Sequence, residues 1–183
     1  MDYMALYEKR TKMWNEMRKE MGRSTSFMEL AESFYSLHRD VLPTDVYFTG
    51  MAPSEEEIRE LESELGITIP KDYRRFLETF GVGGIFFEVF GYLDGEFTCL
   101  EPTIETREEL KQRIEDGCEI EFDPDKLLIV SYDEMCAYGI DTDTGRFIRI
   151  SDDEAEYLNI EFGEYLLSEM ECTIEEAYMQ MED

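Results

Sequence analysis

One histidine, His38, serves a chain of 183 residues. That scarcity removes most imidazole acid–base chemistry and most transition-metal sites. The four cysteines, Cys99, Cys118, Cys136 and Cys172, lie far apart with no C-x-x-C pair. They read as reduced thiols, and neither a zinc site nor a disulfide framework is expected. The patterns G-x-x-x-x-G-K-[ST], G-x-G-x-x-G before a helix, and G-x-S-x-G are all missing. No apolar run reaches the length of a membrane span, and no secretory leader pattern opens the chain. A cytoplasmic protein that needs no cofactor or metal is the expectation.

Positive charge is also short. Lys and Arg number 17 against 45 Asp and Glu, a net charge of −28. Residues 1–50 are nearly balanced, with 7 basic and 8 acidic side chains, so residues 51–183 carry almost all of it. From Ser151 onward there are 12 acids and no Lys or Arg. Such a surface repels nucleic acid and anionic membranes, and it steers a basic partner in. A hydrophobic fraction of 43% is ample for a packed core and argues against global disorder.

Two helices are expected first, over 2–21 with a Met/Trp/Leu face and over 27–39 with Phe27, Leu30, Ala31, Phe34 and Leu37 along one side. His38, at the negative end of the second, suits a partly charged imidazole. A Pro/Gly-containing loop separates this extension, residues 1–50, from a domain over 51–183. Helices follow at 54–65 and 70–80. The first is capped by Ser54 with Glu57; the second opens at Pro70 and stops at Gly81. Strands are expected at 85–90 and 96–100 around a Leu93-Asp94-Gly95 turn, with Tyr92 the strongest candidate for an exposed aromatic anchor. Thr103 or Thr106 is placed to cap a helix through Glu115. Three strands follow at 127–132, 136–140 and 146–150, then helices at 160–170 and, capped by Thr173, 174–181.

Two apparent motifs fail on inspection. Asp141-x-Asp143-x-Gly145 opens like a calcium loop, but Gly and Arg stand at its fifth and sixth positions and Asp152 at its twelfth, between strands; it reads as a hairpin turn. The glycines at 81, 83 and 84 follow a helix and precede a strand, so they cannot seat phosphates at a helix N-terminus. Carboxylate pairs are too abundant for any one to single out glycosidase chemistry. A binding protein rather than an enzyme is expected.

The most distinctive order in the chain lies in the stretch from Ser54 to Gly84. An I-x-x-x-E-x-x-L-G helix end (Ile58, Glu62, Leu65, Gly66) leads to an apolar–Pro step (Ile67, Ile69, Pro70). A D-Y-x-x-F-L helix (Asp72, Tyr73, Phe76, Leu77) and a glycine stop (Gly83, Gly84) follow. This order resembles the SUKH superfamily, which includes the fungal Smi/Knr cell-wall regulators and many bacterial immunity proteins. The resemblance extends from Pro53 to about Met170, with the aromatic stretch 85–92 in its expected place. It leaves the first 50 residues unexplained.

The resemblance implies an α+β fold, an antiparallel-rich sheet with helices packed against it, here with an N-terminal helical extension. It also implies an immunity protein that binds and neutralises a cognate toxin domain, a nuclease by preference, whose basic phosphate-binding groove an acidic face can fill. Loop position and charge density nominate Asp94, Glu96, Asp133, Glu134, Asp152, Asp153, Glu154 and Glu156 as toxin contacts. The alternatives are an interaction or regulatory scaffold of the Smi/Knr type with no toxin partner, and a hydrolase working by carboxylates alone.

Overall fold

A computed structural model describes residues 2–22, 24–42, 52–81, 88–93, 95–133 and 135–182. Its helices are α1 (Tyr3–Met21), α2 (Phe27–His38), α3 (Glu55–Leu65), α4 (Lys71–Thr79), α5 (Leu100–Glu115) and α6 (Phe162–Glu182). Its strands are β1 (Glu88–Val89), β2 (Tyr92–Leu93), β3 (Glu96–Phe97), β4 (Leu127–Tyr132), β5 (Ala137–Asp141), β6 (Phe147–Ile150) and β7 (Ala155–Tyr157). The fold is α+β. Packing divides the chain into two compact units: α1, α2 and α6 from Gly163 onward form one, and the elements from α3 through Phe162 form the other.

In the three-helix unit, Asp2 caps α1, and Ser26 with Glu29 makes a reciprocal capping box on α2. The Met-rich stripe of α1 is only partly a packing face: Trp14 is its buried residue, whereas Met13 stays exposed. Trp14 stacks at a tilt on Phe34 and donates from Nε1 to Glu171 at 3.0 Å. Arg10 closes the end of α2, donating to the Leu37 carbonyl at 2.6 Å and pairing with Asp40. On α6, Gly163 would bring any Cβ within 3.0 Å of Met28 N and Phe27 Cβ, so glycine permits the close approach to the start of α2.

Two expectations are corrected in this unit. His38 is fully buried, and burial, with help from Arg10, lowers its pKa to about 4. It is therefore neutral at pH 7, not a partly charged helix terminator; desolvation outweighs the helix dipole. Its Nδ1 lies 3.4 Å from the Tyr178 hydroxyl, and its Nε2 has no partner among the described residues. The closing helix is one helix, not two. Thr173 is buried mid-helix, because Leu166, Met170, Ile174 and Tyr178 continue one stripe at four-residue spacing. That stripe overrides the local capping preference of threonine.

The second unit begins with the α3–turn–α4 stretch. The Ser54–Glu57 capping box forms as expected, and Ile58, Leu61 and Leu65 are buried on one face. Gly66 ends α3 at φ 66°, a left-handed conformation that favours glycine. The Glu62 carboxylate accepts from Ile69 N at 2.9 Å, holding the turn that delivers Pro70 to the start of α4. Tyr73, Phe76 and Leu77 are wholly buried, and Phe162 meets Tyr73 and Phe76 edge-on at 5.5 and 5.7 Å. Each such ring contributes about 2–3 kcal/mol by burial. The Tyr73 hydroxyl donates to Phe90 O at 2.6 Å, so its one polar atom is satisfied.

The main sheet has the order β1-β4-β5-β6-β7, antiparallel throughout, and β2–β3 form a separate hairpin. The nearly continuous apolar run of β4 is interior, with Leu127 to Val130 fully buried. The Asp141–Gly145 stretch is the hairpin turn expected, between β5 and β6: buried Asp141 accepts from Asp143 N, from Thr144 and, at 2.5 Å, from the Tyr157 hydroxyl. Strand β7 was not legible as a strand; it is a short, charged edge, a composition that also describes a loop.

The expected hairpin of 85–90 with 96–100 is corrected too: residues 82–87, with Gly83 and Gly84, lie outside the described residues, Glu88–Val89 pairs with β4, and the hairpin is made by β2 and β3. A further misreading is at α5, which starts at Leu100 instead of after Thr103 or Thr106, and which takes over the end of the expected 96–100 strand. Pro102 sits in the first turn, where its missing N–H leaves nothing unpaired. Both threonines are links to β4, not caps. Thr103 Oγ1 accepts from Ile129 N at 3.0 Å, and Thr106 Oγ1 lies 3.0 Å from the Tyr132 hydroxyl.

Candidate functional site

The α3 helix is two-faced. Its buried stripe fixes it to the core, and the same periodicity turns Glu60 and Glu64 outward. Glu57 lies between the faces. It accepts from Ser54 N and Oγ at 2.7 and 2.6 Å, and also from the Tyr92 hydroxyl. These bonds, Ser54 first, hold the Glu57 carboxyl below its ordinary range, and the bond to Glu57 raises the Tyr92 phenol.

Tyr92 is thus buried and committed to α3, not the exposed anchor expected. It pins the β2–β3 hairpin beside α3, with its ring tilted against Phe97 at 5.0 Å. The exposed apolar side chain of the hairpin is its neighbour Leu93. Alternation along β2 sends the two to opposite faces.

Between α3, this hairpin and the first turn of α5 runs a groove of about 820 Å³. Its apolar lining comes from Leu61, Leu93, Phe97, Leu100 and Pro102. Five glutamates line it as well: Glu57, Glu60, Glu64, Glu96 and Glu101, with no Lys or Arg among the described residues. Glu60, Glu64, Glu96 and Glu101 are exposed, and none forms a hydrogen bond or ion pair among the described residues.

The nominated acids fall into separate surroundings. Glu96 lines the groove. Asp133 and Asp152 share a smaller concavity of about 180 Å³ with Glu109. Asp133 is occupied there: it accepts from Met135 N, Cys136 N and the Tyr138 hydroxyl at 2.8, 2.7 and 2.8 Å. Burial raises its pKa, but those bonds outweigh burial and leave it below the ordinary carboxylate range. Asp152 and Asp153 are exposed between β6 and β7. Glu156 pairs with Arg149 at 2.5 Å, and Glu154 lies 3.9 Å from the same guanidinium. Asp94 and Glu134 lie outside the described residues.

The groove acids on α3 were not among the nominated residues. Glu60 and Glu64 stand in a helix whose pattern declares a scaffold, and both descriptions hold, because these acids flank the buried stripe beside Leu61. The signal in the sequence is the acidity of the whole helix: six Glu and one Arg in eleven residues.

Among the described residues no three His, Cys, Asp or Glu side chains converge to hold a metal ion. No helix of the described residues is long and apolar enough to cross a membrane.

The model of the SMI1 / KNR4 family (SUKH-1) matches residues 52–168. The chain belongs to this family. The match spans α3 through the first turns of α6. Within this SUKH-1 domain the motif residues are structural: Ile58, Leu65, Tyr73 and Phe76 fill the core, and Glu62 holds a turn. No curated protein matches the SUKH-1 chain.

Proposed function

We propose that this SUKH-1 protein is an immunity protein, which binds one cognate toxin domain, nuclease by class, and blocks it by occupancy without chemistry of its own. The family includes immunity proteins, and the observation that carries the reading is the groove: apolar within, lined by five glutamates and by no Lys or Arg among the described residues. A nuclease presents Lys and Arg to phosphates, and carboxylates on a preformed surface substitute for that array. Glu96, Asp152 and Asp153 are the nominated acids best suited to contact, since no described cation neutralises them. The setting is the cytoplasm, where such a toxin meets its substrate.

The test is co-expression with the product of the adjacent open reading frame, followed by co-purification and a nuclease assay. A tight complex, inhibited nuclease activity and an on-rate that falls steeply with salt are expected. A neighbouring toxin domain that neither binds nor is inhibited would refute the proposal. A salt-independent on-rate would remove its electrostatic part. A regulatory scaffold of the Smi/Knr type is the reading left if no toxin gene adjoins this one.

A further inference from the structure

We infer that the groove between α3, the β2–β3 hairpin and the start of α5 is a docking site for a basic amphipathic segment of a protein partner. An apolar anchor seats on Leu93, Phe97 and Leu100, and Lys or Arg on either side of it meets Glu60, Glu64, Glu96 and Glu101. The inference deepens the immunity reading by naming the part of the partner that binds and where. It rests on this being a binding protein, and not on the partner being a toxin.

Three observations converge. The volume of about 820 Å³ lies in the range of specific clefts and accepts several side chains. Leu93 is 38% exposed beside this lining, an apolar side chain left uncovered on a hairpin whose other face is pinned by Tyr92. The charge around it has one sign, with no described cation on the four exposed glutamates. An apolar segment alone would desolvate those carboxylates without pairing them, which is costly. A nucleic acid or anionic lipid would meet like charge. A segment that is both apolar and cationic satisfies floor and rim together, the arrangement of helix-in-groove recognition. The groove is also preformed: the capping box and the Tyr92–Glu57 bond fix its walls, so little ordering opposes binding.

The probe is a fluorescein-labelled synthetic helix of leucine and lysine, titrated against the full chain and read by anisotropy. Three variants are compared. E60Q/E64Q/E101Q removes three groove charges. E115Q/E119Q/E121Q removes three exposed charges away from the groove lining. Leu93→Ser changes only the apolar lining. Saturable binding is expected, weakened about tenfold or more by the groove triple, several-fold by Leu93→Ser, and less than twofold by the control triple.

Equal weakening by the two triples would reduce the effect to net charge and overturn the inference. So would unchanged binding by Leu93→Ser, or equal binding of an all-lysine or a leucine/glutamine peptide. Circular dichroism confirms that each variant is folded, since all seven positions are solvent-facing. The two readings fail separately. A toxin domain neutralised equally by wild type and groove triple removes the groove and leaves immunity standing; selective peptide binding without any toxin partner does the reverse.

Discussion

Arg107 donates from Nη1 to the carbonyl oxygen of Leu65, 2.8 Å away and 42 residues earlier in the chain. Its Nε donates at the same time to Leu127 O at 2.9 Å. One buried guanidinium therefore joins the end of α3 to the start of β4 through α5, and takes one of the carbonyls that a helix end leaves unpaired. Burial pulls its pKa below the usual arginine range, against the pull of Asp125 and Asp123. Replacing it by Met leaves two carbonyls without this donor. Arg107→Met is expected to cost about 2–4 kcal/mol in denaturant unfolding, and Arg107→Lys less, because an ammonium reaches only part of the fork. Wild-type stability in Arg107→Met would show that the clamp is idle.

The sheet contains a position where only glycine fits. A Cβ on Gly139 would stand 2.6 Å from Leu127 Cδ1 and 2.9 Å from Leu128 O. The second contact is backbone and cannot rotate away, so β4 and β5 must separate. Gly139→Ala is expected to destabilise by about 1–3 kcal/mol, measured as a lowered denaturation midpoint. An unchanged midpoint would mean the strands part freely.

His38 makes the three-helix unit sensitive to acid. In the unfolded chain its pKa is about 6.5, whereas burial among Phe34, Tyr7 and Tyr178, with Arg10 near, lowers it to about 4 in the fold. Arg10 opposes its charging and Asp40 favours it. The unfolded state therefore takes up the proton first as pH falls. Stability is fully present above pH 6.5, declines between 6.5 and 4, and is flat from this group below 4. The full span is worth about 3 kcal/mol. A His38→Gln variant should lose that slope, and an NMR titration should find the imidazole neutral at pH 6. A His38 resonance titrating near 6.5 in the folded protein contradicts the assignment.

Glu62 separates a turn acceptor from a surface charge. Its bond to Ile69 N needs an oxygen and not a charge. Glu62→Gln should keep most of the stability, while Glu62→Ala should cost about 1 kcal/mol. Equal effects in the two variants would place the role of Glu62 in its charge.

What the sequence made readable follows from how local each signal is. The capping box at Ser54, the Gly66 stop and the Tyr73/Phe76 face are set by near neighbours in the chain, and they stand in the structure as read. Thr103, Thr106 and Thr173 failed as caps because their settings are decided by distant packing or by a long apolar stripe. Tyr92 shows the same limit: an aromatic beside a turn looks exposed until Glu57, 35 residues earlier, accepts its hydroxyl. The acids were legible as a total and not as a place. Glu96 belongs to the groove by the fold of a hairpin, Glu60 and Glu64 by the pitch of α3, and Glu156 is balanced by a cross-strand arginine.

Neutralisation of a basic toxin domain by this SUKH-1 protein, as proposed, runs through the acid-lined groove. The product of the adjacent open reading frame is assayed as a nuclease, and its inhibition is titrated with wild type and with E60K/E64K/E101K at equal folded concentration. Stoichiometric inhibition by wild type is expected, with a loss of at least a hundredfold in potency for the reversed variant, about 3 kcal/mol or more. Undiminished inhibition by E60K/E64K/E101K, or none by wild type, would contradict it.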